Sequence, residues 1–298
     1  MKELMQSGDI AFPHLGIYLE NVPKSFDIFG FTVALYGVII AAGIFLGFTL
    51  ASKDAQRNGL PKDILWDFSI YAIIFSIIGA RIYYVVFAWD YYKDNLLNVF
   101  NIRGGGLAIY GAVIAGFTTL LVFSKVRKQS FFKMADSAGL GLLVGQSLGR
   151  WGNFTNREAF GGYTDGLFAM RLPISAVRQN EITPQMWEHV TEGINYIQVH
   201  PTFLYESMWN VALLCILLVA RRFKRFDGEV ALWYIGGYGL GRLWIEGLRT
   251  DQLKLFGTNL AVSQCVAIAC ILFVLVTEVF MRGFILKKRK GDEKSGNE

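Results

Sequence analysis

Seven apolar stretches, separated by polar and charged segments, run along the chain. A helix needs about 20 apolar residues to cross the hydrocarbon core of a bilayer, and it satisfies its own backbone hydrogen bonds there. The weak alternation of apolar and polar positions that is typical of barrel strands is absent. The pattern therefore predicts an all-α polytopic membrane protein with seven transmembrane helices, at residues 31–51, 64–88, 107–124, 135–152, 201–220, 229–249 and 258–281.

The composition supports this class, and the basic residues orient the chain. Hydrophobic residues make up 53% of the sequence and aromatic residues 15%, with a mean hydropathy of +0.37, which is too apolar for a soluble domain. Lys and Arg are dense in alternate loops, at 52–63, 124–134 and 221–228, and in the tail from 282. Because such loops stay in the cytoplasm, we expect a cytoplasmic C-terminus and an N-terminus outside. The net charge of +5 then reports topology, and no nucleic-acid partner is expected.

Three regions follow from these boundaries. Residues 1–30 form an extracytoplasmic or interfacial segment without the features of a cleavable signal. Residues 31–281 hold the seven helices and a small extracytoplasmic head region at 153–199, which is long enough for a subdomain and contains short alternating runs that suggest strands. Residues 282–298 form a basic cytoplasmic tail.

Polar side chains cluster where the fourth span ends. Arg150, Asn153, Asn156 and Glu158 follow one another there, and a charged side chain costs about 2.5 to 3.5 kcal/mol at the centre of a membrane helix. Because these polar side chains are unfavourable in a membrane helix, their presence together indicates a functional site.

The sixth span carries a polar stripe that points to the same site. Tyr238, Arg242, Glu246 and Arg249 are spaced i, i+4, i+8 and i+11, which places them on one helix face. If Arg242 pairs with Glu246, Arg249 has no partner on this stripe. Because Arg150 is predicted to lie on the opposite side of the bundle, we expect the site to have an excess of fixed positive charge. Guanidinium groups bind phosphate bidentately. The stripe therefore predicts a phosphate site, and its depth favours a phospholipid head group over a soluble ester.

Three further features have two interpretations each. Tyr36 is an interfacial anchor or a site residue, and Arg81 either snorkels to the interface or enters the site. The glycines at 104–106, between Arg103 and Tyr110, either turn backbone amides toward an anion or allow close helix packing.

Two patterns favour packing over chemistry. Gly145-x-Ser147-x-Gly149 matches a nucleophile elbow, which requires a turn between a strand and a helix, whereas Ser147 falls inside a predicted helix. Gly141, Gly145 and Gly149 instead have the spacing at which membrane helices touch closely. The three cysteines lie in apolar spans as small hydrophobic residues, and no spacing predicts a metal or other cofactor.

Six motifs in order make the chain similar to the prolipoprotein diacylglyceryl transferases of bacteria. They are Tyr36-Gly37; Gly79-x-Arg81; Gly105-Gly-x-Ala-x-Tyr110-Gly111; Gly149-Arg-x-Gly-Asn-Phe-x-Asn-x-Glu158 with Gly161; His200-Pro-Thr-x-Leu-Tyr205-Glu206; and Tyr238-Gly-x-x-Arg242-x-x-x-Glu246-x-x-Arg249. The fold of that family, seven transmembrane helices with an external head, agrees with the topology predicted above.

The resemblance implies a reaction in the bacterial cell membrane. The diacylglyceryl group of phosphatidylglycerol passes to the lipobox cysteine of a preprolipoprotein, which forms a thioether and releases glycerol 1-phosphate. Arg150, Arg242, Tyr110 and Glu246 become the catalytic candidates: the two arginines hold the phosphate and Glu246 fixes Arg242. The substrate-binding candidates are Arg150, Asn153, Glu158, Gly161, Tyr36, Arg81, Asn156, Tyr238, Glu206 and Arg249.

One position departs from the family pattern. Many members carry histidine, often proposed as the general base, where this chain has Tyr110. A phenol with a pKa near 10 is a poor base at neutral pH. Either the arginines lower the pKa of Tyr110 enough to form a phenolate, or Tyr110 mainly orients substrate while another group takes the proton, and we expect the second. The main alternative function, a lipid or anion transporter, should show inverted repeats with broken helices, and the sequence shows no such symmetry.

Overall fold

Among the residues that the structure describes, a long helix overlaps each of the seven predicted apolar spans. The computed structural model describes residues 4–102, 105–255, 258 and 260–295. Within them the long helices are α1 (Leu35–Arg57), α2 (Ile64–Phe87), α4 (Ile109–Val126), α5 (Phe131–Asn156), α7 (Thr202–Ala220), α8 (Glu229–Leu248) and α9 (Val262–Ser295). The short helices α3 (Trp89–Tyr92) and α6 (Pro184–Trp187) lie in the connections.

Five of the long helices are long and apolar enough to cross a membrane: α1, α2, α4, α7 and α9. This supports a multi-pass membrane protein. Helices α5 and α8 are not among the five, and they carry the polar residues of the fourth and sixth predicted spans. Their crossing of the bilayer, and the orientation of the chain, stay predictions.

The chain is mostly helical, as predicted, and it also contains short strands, some of them within residues 153–199, where alternating runs suggested strands. Strands β1 (Ile10–Phe12), β2 (Ile17–Leu19), β5 (Met170–Pro173) and β6 (Tyr196–Val199) form a sheet in the order β2-β1-β5-β6. A separate hairpin joins β3 (Ser25–Ile28) and β4 (Phe31–Ala34), directly before α1. These strands are short, and β1 and β2 gave no signal in a sequence dominated by long apolar stretches.

The chain divides into two compact units, one of Met1–Gly47 with Leu140–Glu298 and one of Phe48–Gly139. In the first unit α8 packs against α7 and α9, and buried Ile10, Phe160, Leu172 and Ile197 belong to the core beneath the four-stranded sheet. In the second unit α2 packs against α4.

The glycines of α5 allow close helix packing, as predicted. A Cβ atom on Gly47 of α1 would lie 2.6 Å from the carbonyl oxygen of Gly141, and one on Gly43 would lie 3.4 Å from Cα of Gly145. Small residues let membrane helices approach until their backbones touch. The contact holds the end of α5 that carries Arg150 against the start of α1.

The glycine contact can be tested with two alanine substitutions in α1. Gly47→Ala forces a methyl group against the Gly141 backbone, and overpacking of this kind costs about 1 to 3 kcal/mol, so we expect a lower melting temperature for the purified protein in detergent. Gly37→Ala is the matched control, since its Cβ would have nothing within 4 Å. Equal melting temperatures for the two variants would contradict the contact.

Candidate active site

A buried carboxylate on α7 joins two arginines from different helices. Glu206 lies one turn into α7 with its side chain 3% exposed. Its Oε1 is 2.7 Å from Nη2 of Arg150 on α5, and its Oε2 is 3.1 Å from Nη1 of Arg242 on α8. Arg150 and Arg242 are therefore brought together, as the sequence predicted, but through a shared partner that the sequence did not assign to them.

The stripe on α8 contributes three more contacts. The second carboxylate of the cluster, Glu246, accepts a hydrogen bond from Nη2 of Arg242 one turn away, as the i, i+4 spacing predicted. The hydroxyl of Tyr238 donates to Glu206 Oε1 at 3.4 Å. Arg249 follows the last residue of α8 and forms two bonds with Asp251, at 2.9 and 2.7 Å.

The charges of this cluster balance. Arg150, Arg242 and Arg249 face the three carboxylates of Glu206, Glu246 and Asp251. The predicted excess of positive charge is therefore not found among these residues. Burial would raise the pKa of Asp251, but the bonds from Arg249 outweigh it and hold that pKa below its ordinary value, so the third carboxylate is ionised at neutral pH.

A chain of hydrogen bonds extends from Arg150 to the end of α5. Nη1 of Arg150 donates to Oδ1 of Asn153 at 3.3 Å, and Nδ2 of Asn153 donates to Glu158 Oε1 at 3.0 Å. The amide of Asn156 donates to the same oxygen at 3.3 Å. Arg178 lies 3.6 Å from the other oxygen of Glu158. The four polar residues that the sequence singled out after the fourth span thus form one network.

A sharp turn after α5 places Glu158 within that network. Arg157 and Ala159 have positive φ values of 58° and 57°, a backbone region that is uncommon for residues other than glycine. The buried Arg157 side chain donates to the carbonyls of Thr155, Gly8 and Val22. These bonds fix the turn and tie the N-terminal segment to it.

Gly161 lies where three backbone segments meet. Its amide donates to the carbonyl of His200, and the next amide, of Gly162, donates to Leu248. A Cβ atom on Gly161 would be 2.7 Å from the Leu248 oxygen and 2.8 Å from Cβ of His200, so a side chain does not fit. Gly161 thereby holds the start of α7 beside the end of α8. Burial lowers the pKa of His200 at this junction, which keeps the ring neutral at pH 7.

Tyr36 at the start of α1 packs against α5. A Cβ atom on Gly152 would lie 2.4 Å from the Tyr36 ring, so the two helices touch beside the Arg150 turn. Trp151 donates from its indole to Oγ of Ser207 at 3.2 Å, which fastens α5 to α7 one residue from Glu206. These contacts fix the helices that carry the ionic cluster.

Arg81 forms its hydrogen bonds within the Phe48–Gly139 unit. The residue is 6% exposed, and its guanidinium donates to the carbonyls of Asn98, Val99, Asn101, Gly105 and Gly106, at 2.6 to 3.0 Å. A guanidinium has five N–H donors, and each is used here. Arg81 therefore organises the loop before α4 and does not snorkel. Its predicted contact with substrate would require one of these bonds to break.

Tyr110 lies in the first turn of α4, 37% exposed, with its ring centroid 6.4 Å from that of Tyr83. Gly105 and Gly106 precede it with φ values of 88° and 77°, which glycine adopts at no steric cost. Arg103 and Gly104, which belong to the predicted anion nest, lie outside the described residues. Tyr110 and Arg81 belong to the Phe48–Gly139 unit, whereas the ionic cluster belongs to the other unit.

Ser147 takes no part in the ionic cluster. It lies in the interior of α5, and its hydroxyl donates to the carbonyl of Leu143 at 2.6 Å. A helix interior is not the turn between strand and helix that a nucleophile elbow needs.

The sequence pattern did not indicate a site role for three charged residues. Asp251 and Arg178 lie outside the apolar spans, where helical spacing gives no guidance, and their roles depend on contacts with Arg249 and Glu158. Arg157 lies inside a quoted motif, yet nothing in its spacing indicated that it is buried under the N-terminal segment.

The chain is similar to known proteins over most of its length. Residues 23–280 match the family model of prolipoprotein diacylglyceryl transferase. The phosphatidylglycerol–prolipoprotein diacylglyceryl transferase of Clostridioides difficile is 39% identical over 257 residues, which cover 86% of this chain and 94% of that protein. The enzyme of the same name from Oceanobacillus iheyensis is 44% identical over 246 residues, covering 80% and 82%.

The apolar helices and the buried ionic cluster define a multi-pass membrane protein with a charged site. The family match covers most of the chain and includes every residue of that cluster. The chain therefore belongs to the prolipoprotein diacylglyceryl transferase family and is a transferase of lipoprotein biosynthesis.

The loop-organising role of Arg81 can be tested with Arg81→Lys. A lysine has three donors in place of five, so carbonyls at residues 98–106 lose partners, and we expect backbone amides in that segment to exchange hydrogen at least tenfold faster. Arg127→Lys, at an exposed pair with Asp67, is the control. Unchanged exchange in Arg81→Lys would show that the loop holds its structure without these bonds.

Proposed function

We propose that this protein transfers the diacylglyceryl group of phosphatidylglycerol to the lipobox cysteine of a preprolipoprotein at the outer face of the bacterial cell membrane. The thiol sulfur forms a bond to the glyceryl carbon, and the bond between that carbon and the phosphate oxygen breaks. The oxygen keeps the electron pair and leaves as glycerol 1-phosphate, while the thiol gives up its proton. This is the first step of lipoprotein maturation.

The observation that supports the proposal best is the pair of arginines held by Glu206. The side chains of Arg150 and Arg242 are 22% and 15% exposed, which leaves each shielded from bulk water but accessible to a ligand. A guanidinium has five N–H donors, and the bonds to Glu206, Glu246, Asn153 and Tyr238 use only part of them. The remaining donors fit the oxygens of a phosphodiester.

Fixed donors stabilise charge that develops during the reaction. The leaving phosphate gains negative charge as its bond to carbon breaks, and donors that are already oriented stabilise that charge without reorganising. Glu206 and Glu246 supply the orientation, since each holds Arg242 and Glu206 also holds Arg150. The balanced charge of the cluster means that the site selects its substrate by donor geometry more than by net attraction.

The remaining predicted residues take supporting roles in this proposal. Asn153 and Asn156 offer neutral amides near the phosphate, Glu158 holds both amides in place, and Tyr238 borders Glu206. Tyr110 orients substrate. The nucleophile comes from the acceptor peptide, so the three cysteines of the chain are not needed for the chemistry.

The direct test is transfer by the purified protein in vesicles of phosphatidylglycerol. With a peptide that contains a lipobox cysteine, we expect a lipidated peptide and an equal amount of glycerol 1-phosphate, both measured by mass spectrometry. The control is the same peptide with serine in place of cysteine, which should give neither product. Intact protein that releases no glycerol 1-phosphate, or that releases it without thioether product, would overturn the proposal.

A further inference from the structure

A second polar layer lies one helical turn beyond the ionic cluster. Gln146, Asn210 and Tyr234 are four residues from Arg150, Glu206 and Tyr238, respectively, and residues four apart share a helix face about 6 Å apart along the axis. Gln146 and Tyr234 precede the cluster on α5 and α8, whereas Asn210 follows it on α7. Because α7 runs antiparallel to α5 and α8, all three lie on the same side of the cluster, away from the four-stranded sheet. Nε2 of Gln146 donates to the Tyr234 hydroxyl at 3.0 Å.

This layer has hydrogen-bonding atoms without partners. Asn210 is 0% exposed, and among the described residues neither its Oδ1 nor its Nδ2 has a hydrogen-bond partner. The Oε1 atom of Gln146 is also buried and unpaired. An unsatisfied polar group is costly inside a protein, and native structures leave few of them. The layer therefore offers two acceptors and one amide donor to a ligand.

The chemistry of the layer selects an uncharged ligand. Its three side chains are two amides and a phenol, so the layer has no fixed charge to bind a phosphate. An uncharged ligand oxygen that accepts or donates hydrogen bonds would satisfy the unpaired amide atoms. In a phospholipid whose phosphate lies at Arg150 and Arg242, the groups within about 6 Å of that phosphate are the hydroxyls of the head group and the esters of the glyceryl group.

We propose that Asn210 and Gln146 form a subsite for an uncharged oxygen of the lipid substrate, a head-group hydroxyl or an acyl ester. The inference rests on the proposed function, since it takes the position of the lipid from the arginine pair. It adds a basis for choosing among phospholipids that carry the same phosphate, because a lipid without that oxygen would leave the amides unpaired.

The test compares three lipids in mixed micelles with the full-length protein. Phosphatidylglycerol has both kinds of oxygen, phosphatidylpropanol lacks the head-group hydroxyls, and ether-linked phosphatidylglycerol lacks the ester carbonyls. We expect the wild type to use one of the two analogues at least tenfold less well in kcat/KM than phosphatidylglycerol, since a site built for hydrogen bonds rejects a ligand that lacks them. The analogue that is rejected identifies the oxygen.

Asn210→Leu, which keeps the approximate size of the side chain, should remove this preference. We expect the variant's kcat/KM for phosphatidylglycerol to fall to its kcat/KM for the rejected analogue. The variant's kcat/KM for that analogue should stay within threefold of the wild-type value. Met208→Leu, at an exposed position of α7, is the control. If Asn210→Leu does not fold, as judged by its melting curve, Gln146→Met tests the same preference.

Two results would overturn the subsite. One is a wild type that uses all three lipids equally well. The other is a variant that lowers kcat/KM by the same factor for all three, which would show that the amides bind water or serve the fold alone. Neither result affects the proposed function, which depends on transfer from phosphatidylglycerol by the wild type.

Discussion

The Glu206 carboxylate, shared by two guanidiniums from different helices, is the contact on which the site depends. A buried carboxylate or guanidinium is costly alone, and removing one partner of such a pair leaves an uncompensated charge. Here the cost is offset only when α5, α7 and α8 bring Arg150, Glu206 and Arg242 together. The close contact at Gly161 serves this end because it holds the start of α7 beside the end of α8, and the contact at Gly152 fixes α5 against α1.

In the proposed function, the same arrangement lets a cluster with balanced charge bind a phosphate. Net positive charge would stabilise the bound substrate and the transition state alike, and interactions of equal strength in both do not accelerate the chemical step. Guanidiniums fixed by carboxylates keep their donor geometry while the carboxylates offset their charge. We therefore propose that the cluster stabilises the charge that develops during the reaction, and that the layer of amides one turn away binds the uncharged part of the lipid.

The sequence predicted the features that depend on local pattern. Apolar length located the seven long helices, i, i+4 spacing found the Arg242–Glu246 pair, and glycine spacing found the contact of α5 with α1. The sequence did not predict the features that depend on contacts between distant parts of the chain. Glu206 was a site candidate, but no spacing links it to two arginines on other helices. The strands β1 and β2 also went unnoticed, because three-residue strands show almost no periodicity.

The coupling between Glu206 and Arg150 tests the central claim most directly. Glu206→Gln, Arg150→Lys and the double variant form a cycle in which kcat/KM for phosphatidylglycerol is measured for all four proteins. If the carboxylate acts by holding the arginine, the double variant loses little more activity than the worse single variant, with a coupling of at least about 1.4 kcal/mol. Losses that multiply, as they do for independent sites, would contradict the account.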